Sequence, residues 1–135
     1  MLRCLLLCAL SVAPTFAAAQ AFDWRKRYDI PVIPIDATSF EVIENDGAGG
    51  TQLWCAAGLY ARDQLGQLRG SLYVREGRRP SARAPGRRGV VFTLDAVPDA
   101  FSSVSEGVRR AGQVFSISHA RALCRSTGRL RIEVR

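Results

Sequence analysis

Residues 51–66 read TQLWCAAGLYARDQLG, and they carry the helical signal around which the rest of the chain is arranged. Leu53, Ala57, Tyr60 and Ala61 recur at three- and four-residue spacing, so they share one helical face. Trp54 and Leu65 widen that face, and Cys55 and Leu59 add a second apolar side. A helix apolar around most of its girth is buried on more than one side. Gly49 and Gly50 precede it, with Gly50 or Thr51 as the expected cap, and Gly66 follows where helices end in a left-handed residue. Ala56, Ala57, Gly58 and Ala61 are small enough for another backbone to come close. That closeness would offset the ~1 kcal/mol that Gly58 costs relative to Ala inside a helix. Trp54 and Tyr60 read as core aromatics.

The amino terminus carries Arg3, an apolar run over residues 4–12, Pro14 and Ala17-Ala18-Ala19. This is the pattern of a secretory signal peptide over residues 1–19, cleaved after Ala19, and the apolar run is too short for a transmembrane helix. Leu7 ahead of Cys8 departs from a lipoprotein signal, so a soluble exported protein, periplasmic or secreted, is the expectation. Removal of 19 of the 135 residues leaves 116, and without Arg3 the 18 basic and 12 acidic residues give +6. Two cysteines then remain, Cys55 and Cys124, and export places them where disulfides persist. With one histidine and no CxxC, neither a metal site nor a redox pair is indicated, and no cofactor is expected.

Outward from the helix, residues 38–135 read as one small domain behind an extended arm, residues 20–37. In that arm Trp24 and Tyr28 enclose Arg25, Lys26 and Arg27, a cluster that would suit an anionic polymer or membrane surface. Pro31 and Pro34 exclude a helix there. Residues 40–44 form a short strand, and 45–50 (NDGAGG) a turn into the helix. The turn lacks the third glycine of a dinucleotide loop, the Walker lysine and the alternating acids of a calcium loop. Residues 67–75 alternate as a strand, 76–88 (EGRRPSARAPGRR) form an arginine-rich loop, and 89–95 the strand that returns from it. Residues 97–112 show no clear period; a short helix among turns is the expectation. A fourth strand at 113–117, a short helix carrying Cys124 and a last strand at 129–135 complete the chain. The expected fold is α+β: a mainly antiparallel sheet of about five short strands, with both helices on one face and bridged by Cys55–Cys124.

No known catalytic frame surrounds His119, the single histidine, and Asp95 and Asp99 are separated by Pro98, so no catalytic residue is assigned. The charge pattern says more. On the face away from the helices the strands would collect Arg69, Tyr73, Arg75, Arg129 and Arg131, with Arg78, Arg79, Arg87 and Arg88 at one end. The expected function is a binding module for an acidic partner, an anionic envelope polymer or acidic protein surface, with charge supplying most of the affinity. Export argues against nucleic acid. The alternatives are a small exported hydrolase using His119 and an inhibitor-like or structural subunit of an envelope complex.

Overall fold

The computed structural model describes residues 25–135; the expected leader with its cleavage site, Cys4 and Cys8 lie outside the described residues. The central helix α1 spans Gly50–Asp63 and buries Leu53, Trp54, Cys55, Ala56, Ala57, Gly58, Tyr60 and Ala61. Gly49 is its N-cap, and the Gln52 side-chain oxygen accepts the Gly49 N–H at 2.9 Å. Gly66 (φ 67°) turns the chain out of the helix through the left-handed region.

Around α1 the chain runs β1 (Arg27–Pro34), β2 (Ser39–Ile43), α1, β3 (Ser71–Pro80), β4 (Arg88–Thr93), β5 (Phe101–Ser102), β6 (Gln113–Ser116), α2 (Ile117–Ala122), a 3-10 turn (Leu123–Ser126) and β7 (Arg129–Val134). The seven strands form one sheet in the order β5-β6-β3-β4-β2-β1-β7. The fold is α+β as expected, but the sheet is mixed and has seven strands rather than about five. Two pairs, β1–β7 and β5–β6, are parallel.

The main addition is β1, the segment whose prolines suggested an arm. Its register with β2 starts at Val32↔Val42, so Pro31 lies just outside that ladder and its missing N–H breaks no bond there. Beyond that point two side chains of the glycine turn take over. Asp29 N–H donates to the Asp46 carboxylate at 3.0 Å, and the Asn45 amide donates to Asp29 C=O at 2.7 Å. Strand β3 is also longer than its alternation indicates. Register shifts between Val74 and Glu76 and between Glu76 and Arg79 break the period of two while the pairing with β4 continues to Pro80. The arginine-rich connection therefore shrinks to residues 81–87. Residues 97–112 contain no helix; they supply the two-residue strand β5 and turns.

A single core lies between the helices and one face of the sheet, built from Ile30, Val32, Phe40, Val42, Leu72, Val74, Val90 and Phe92 below and Leu53, Trp54, Ala57, Tyr60, Ile117 and Ala120 above. Trp54 meets Phe92 edge-on at 5.0 Å between ring centroids and Phe115 at 4.5 Å. The Cys55–Cys124 disulfide joins α1 to the 3-10 turn. At Gly58 the second helical segment comes as close as the small residues suggested: a Cβ there would lie 2.9 Å from the Arg121 amide nitrogen. Gly58→Ala is thus expected to lose about 1 kcal/mol in a urea melt, reversing the gain of similar size that helix propensity alone would bring. A stabilised variant would mean that the two helices are not in contact at this point.

Candidate functional site: a basic cleft at the end of the β1–β7 pair

Most of the arginines expected to bind a ligand are engaged within the chain. Arg78 makes a double hydrogen bond to the Glu44 carboxylate, at 2.6 and 2.5 Å, which raises its already high pKa. Arg79 pairs with Glu76. Arg87 donates to Glu44 C=O at 3.0 Å and to Asn45 Oδ1 at 2.7 Å, tying the arginine-rich connection to the end of β2. Arg75 donates to Ser39 Oγ at 3.2 Å and lies 3.8 Å from Asp36. The Thr38 backbone N–H holds the Asp36 carboxyl below its ordinary value. Tyr73 is half-buried opposite Thr93. Arg69 and Arg88 are exposed and have no carboxylate partner among the described residues.

The face away from the helices is not an open platform either. Ser39, Glu41, Ile43, Val91 and Thr93 alternate with the core residues of β2 and β4, yet all five are buried. Residues 81–87 reach back to Glu41. Ser81 N–H donates to Arg87 C=O, its hydroxyl accepts the Arg83 and Ala84 N–H groups, and the Arg83 guanidinium reaches the Glu41 carboxylate at 3.3 Å. Glu41 stands over Gly89, where a Cβ would come within 2.5 Å of its oxygen. Nothing local in the sequence marks this pair, because its members lie 42 residues apart.

Arg129 and Arg131 are separated from Tyr73 and Arg75 by β4, β2 and β1. Four strand steps put the two groups roughly 19 Å apart, so they do not make one surface. The β7 arginines instead meet β1. Arg27 is the direct register partner of Arg129, and Asp29 that of Arg131, with Arg131 Nε 3.0 Å from Asp29 Oδ1. Residues in register on neighbouring strands point to the same face, so Arg27 and Arg129 stand side by side. Both are exposed, and neither has a carboxylate partner among the described residues. They edge a 410 Å³ cleft whose lining also includes Tyr28, Asp29, Leu130 and Arg131. Lys26 lies beside it, 5.0 Å from the centre of the Tyr28 ring. Sequence reading singles out the Arg25–Arg27 cluster but has no way to bring it to Arg129.

Two other clefts frame the alternatives. One, of 350 Å³, opens at the amino end of α1, where Thr51 donates to the Glu106 carboxylate. The chain's own anion therefore already sits at that helix end. The other, of 510 Å³, holds His119 with Ser116 and Glu106. Ser116 caps α2 by accepting the His119 backbone N–H at 3.1 Å. The imidazole packs edge-on against Phe115 at 4.5 Å and hydrogen-bonds to no hydroxyl or carboxylate among the described residues. Those residues also contain no group of three histidine, cysteine or acidic side chains placed to hold a metal, and no helix long and apolar enough to cross a membrane. No family model, curated protein or solved structure matches the chain.

Proposed function

We propose that this is an exported binding module for an anionic polymer of the cell envelope, with the ligand seated in the cleft at the end of the β1–β7 pair. The observation that carries the reading is the Arg27–Arg129 neighbour pair. Like charges directly opposite on adjacent strands repel, and among the described residues no carboxylate pairs with either. A phosphate, sulfate or carboxylate group bridging the two guanidinium planes would convert that repulsion into charge-assisted hydrogen bonds. Arg131, on the same face as Arg27 and Arg129, would extend the contact. Export rests on the leader pattern, and the Cys55–Cys124 bridge is compatible with it. The hydrolase alternative has a cleft around His119 but no base–hydroxyl contact to support it.

The test is binding of the chain from Gln20 onward to a panel of anionic polysaccharides and phosphate-bearing lipids at two salt concentrations. Saturable binding that weakens with salt is expected. The double variant Arg27→Ala with Arg129→Ala should lose roughly tenfold or more in affinity and flatten the salt dependence by about two charges. Arg69→Ala and Arg88→Ala, which remove exposed cations elsewhere, should stay within about twofold, given the same contact energetics. Absence of binding at low salt, or loss confined to the Arg69 and Arg88 variants, would remove the cleft from consideration.

A further inference from the structure

The outer edge of β7 points to a second copy of this chain as its partner. We propose that two copies pair their β7 strands antiparallel, about a twofold axis at Ile132, to make one continuous fourteen-stranded sheet.

The two edges of the sheet are unlike. At one end β5 has only two residues, a length too short to template another strand. At the other end β7 has six, with an unbroken register to β1 and neither proline nor bulge. Arg129 N–H donates to Lys26 C=O at 3.3 Å, and Arg135 N–H to Val32 C=O at 3.0 Å. Odd-numbered residues of β7 therefore turn their backbone groups toward β1. The even-numbered Leu130, Ile132 and Val134 turn theirs outward, away from every strand of the sheet. Their side chains lie on the helix face of the sheet. Leu130 and Ile132 are only partly buried against the core, and Val134 is 44% exposed.

Antiparallel pairing about Ile132 suits residues 130–134 of this edge. The outward groups of Leu130, Ile132 and Val134 meet those of the partner's Val134, the partner's Ile132 and the partner's Leu130. These are hydrogen-bonded pairs, and all three are apolar on one face. On the other face Arg131 falls opposite the partner's Glu133, and Glu133 opposite the partner's Arg131. Such non-hydrogen-bonded positions bring side chains closest together. Within one copy Arg131 lies 3.0 Å from Asp29 and 3.7 Å from Glu133. In the pair it would bridge Asp29 and a carboxylate of the other chain. An axis at Arg131 brings Arg129 opposite the partner's Glu133 but sets Arg131 against the partner's Arg131 at its centre, and one at Glu133 sets glutamate against glutamate and Arg131 against the partner's Arg135. The Ile132 register moves its like-charged pairs, Arg129 opposite the partner's Arg135, out to the ends of the strand. The contact of a single strand is small, so association in roughly the micromolar range is expected.

Sedimentation velocity over a concentration series tests this, together with amide hydrogen exchange. The wild-type chain should pass from monomer to dimer, with the Leu130, Ile132 and Val134 amides gaining protection as it does. Glu133→Arg and Arg131→Glu should each weaken self-association roughly tenfold or more, by opposing like charges at both pairs. Mixed one to one, these two variants should recover a heterodimer, because each then meets its opposite charge. Val134→Lys, at an exposed position, should weaken the dimer without disturbing the fold, as checked by circular dichroism. A monomer at every concentration, or a dimer indifferent to all three substitutions, would overturn the proposal and leave the edge to a different strand. The anionic-polymer reading is tested separately, since Arg27→Ala leaves the outward backbone and the Arg131–Glu133 pairing untouched.

Discussion

Reducing the Cys55–Cys124 bridge, or replacing Cys124 with serine, is expected to lower the unfolding free energy by about 4 kcal/mol. The bridge spans 69 residues, and closing a loop of that length removes about this much chain entropy from the unfolded state. The loop contains β3 to β6 and α2, so the first four strands of the sheet order are tethered back to α1. Loss of the bridge also frees the 3-10 turn that leads directly into β7. Strand β7 is otherwise held by β1 and by α1, and it should be the first element to gain amide exchange. Urea denaturation with and without reductant measures the effect. For a domain of ~110 residues, whose total stability is of order 10 kcal/mol, a 4 kcal/mol loss is a large fraction. A change below about 1 kcal/mol would mean that the reduced, unfolded chain keeps the two helices together without the bond.

Arg83→Ala is expected to cost about 2 kcal/mol. Glu41 is 1% exposed, and the Arg83 guanidinium is its ion-pair partner. Removing one member of a buried pair leaves a charge without compensation, which in fully enclosed sites costs about 3–5 kcal/mol. Here the Arg83 side chain is 38% exposed, so water can partly replace it and the cost falls below that range. The same reasoning predicts that Glu41→Leu added to Arg83→Ala restores about 1 kcal/mol, because an apolar side chain suits the neighbouring Ile43 and Val91. Chemical denaturation of the two singles and the double closes the cycle. If Arg83→Ala lies within about 0.5 kcal/mol of the wild type, the connection over residues 81–87 is not fastened by this pair.

The Glu41–Arg83 pair and the Arg78–Glu44 contact together explain why a basic loop does not translate into a basic surface. Read along the chain, residues 76–88 hold five arginines and one glutamate, and look uniformly cationic. Folded, Arg83 meets Glu41 of β2, Arg78 meets Glu44 just past its end, Arg79 meets Glu76, and Arg87 meets the Glu44 backbone. Charge pattern in a sequence reports what is present, but its partners come from strand pairing. Of the arginines expected to bind, Arg69, Arg88 and Arg129 are left without carboxylates among the described residues, and the sheet brings Arg129 beside Arg27.

What the sequence determined by itself were the elements whose signal is local. The apolar spacing of residues 53–61 set α1 to within a few residues, since side chains three and four apart share a face whatever the tertiary structure. The alternation of Arg129 to Val134 set β7 for the same reason, with a period of two. The two cysteines beyond residue 19 left one intramolecular pairing, and it is the one formed. Tertiary structure alone decided the rest. Strand β1 exists because β7, 102 residues further on, lies beside it, and because Asn45 and Asp46 stand in where β2 ends. Its two prolines argue against a sheet interior until the register shows that neither breaks a ladder bond. The bulges in β3 hide a strand from any reading by period, and β5 is too short to have one. The basic cleft and the outer edge of β7 both follow from that unforeseen parallel pair, because register sets which charges become neighbours and which backbone groups are left to meet another chain.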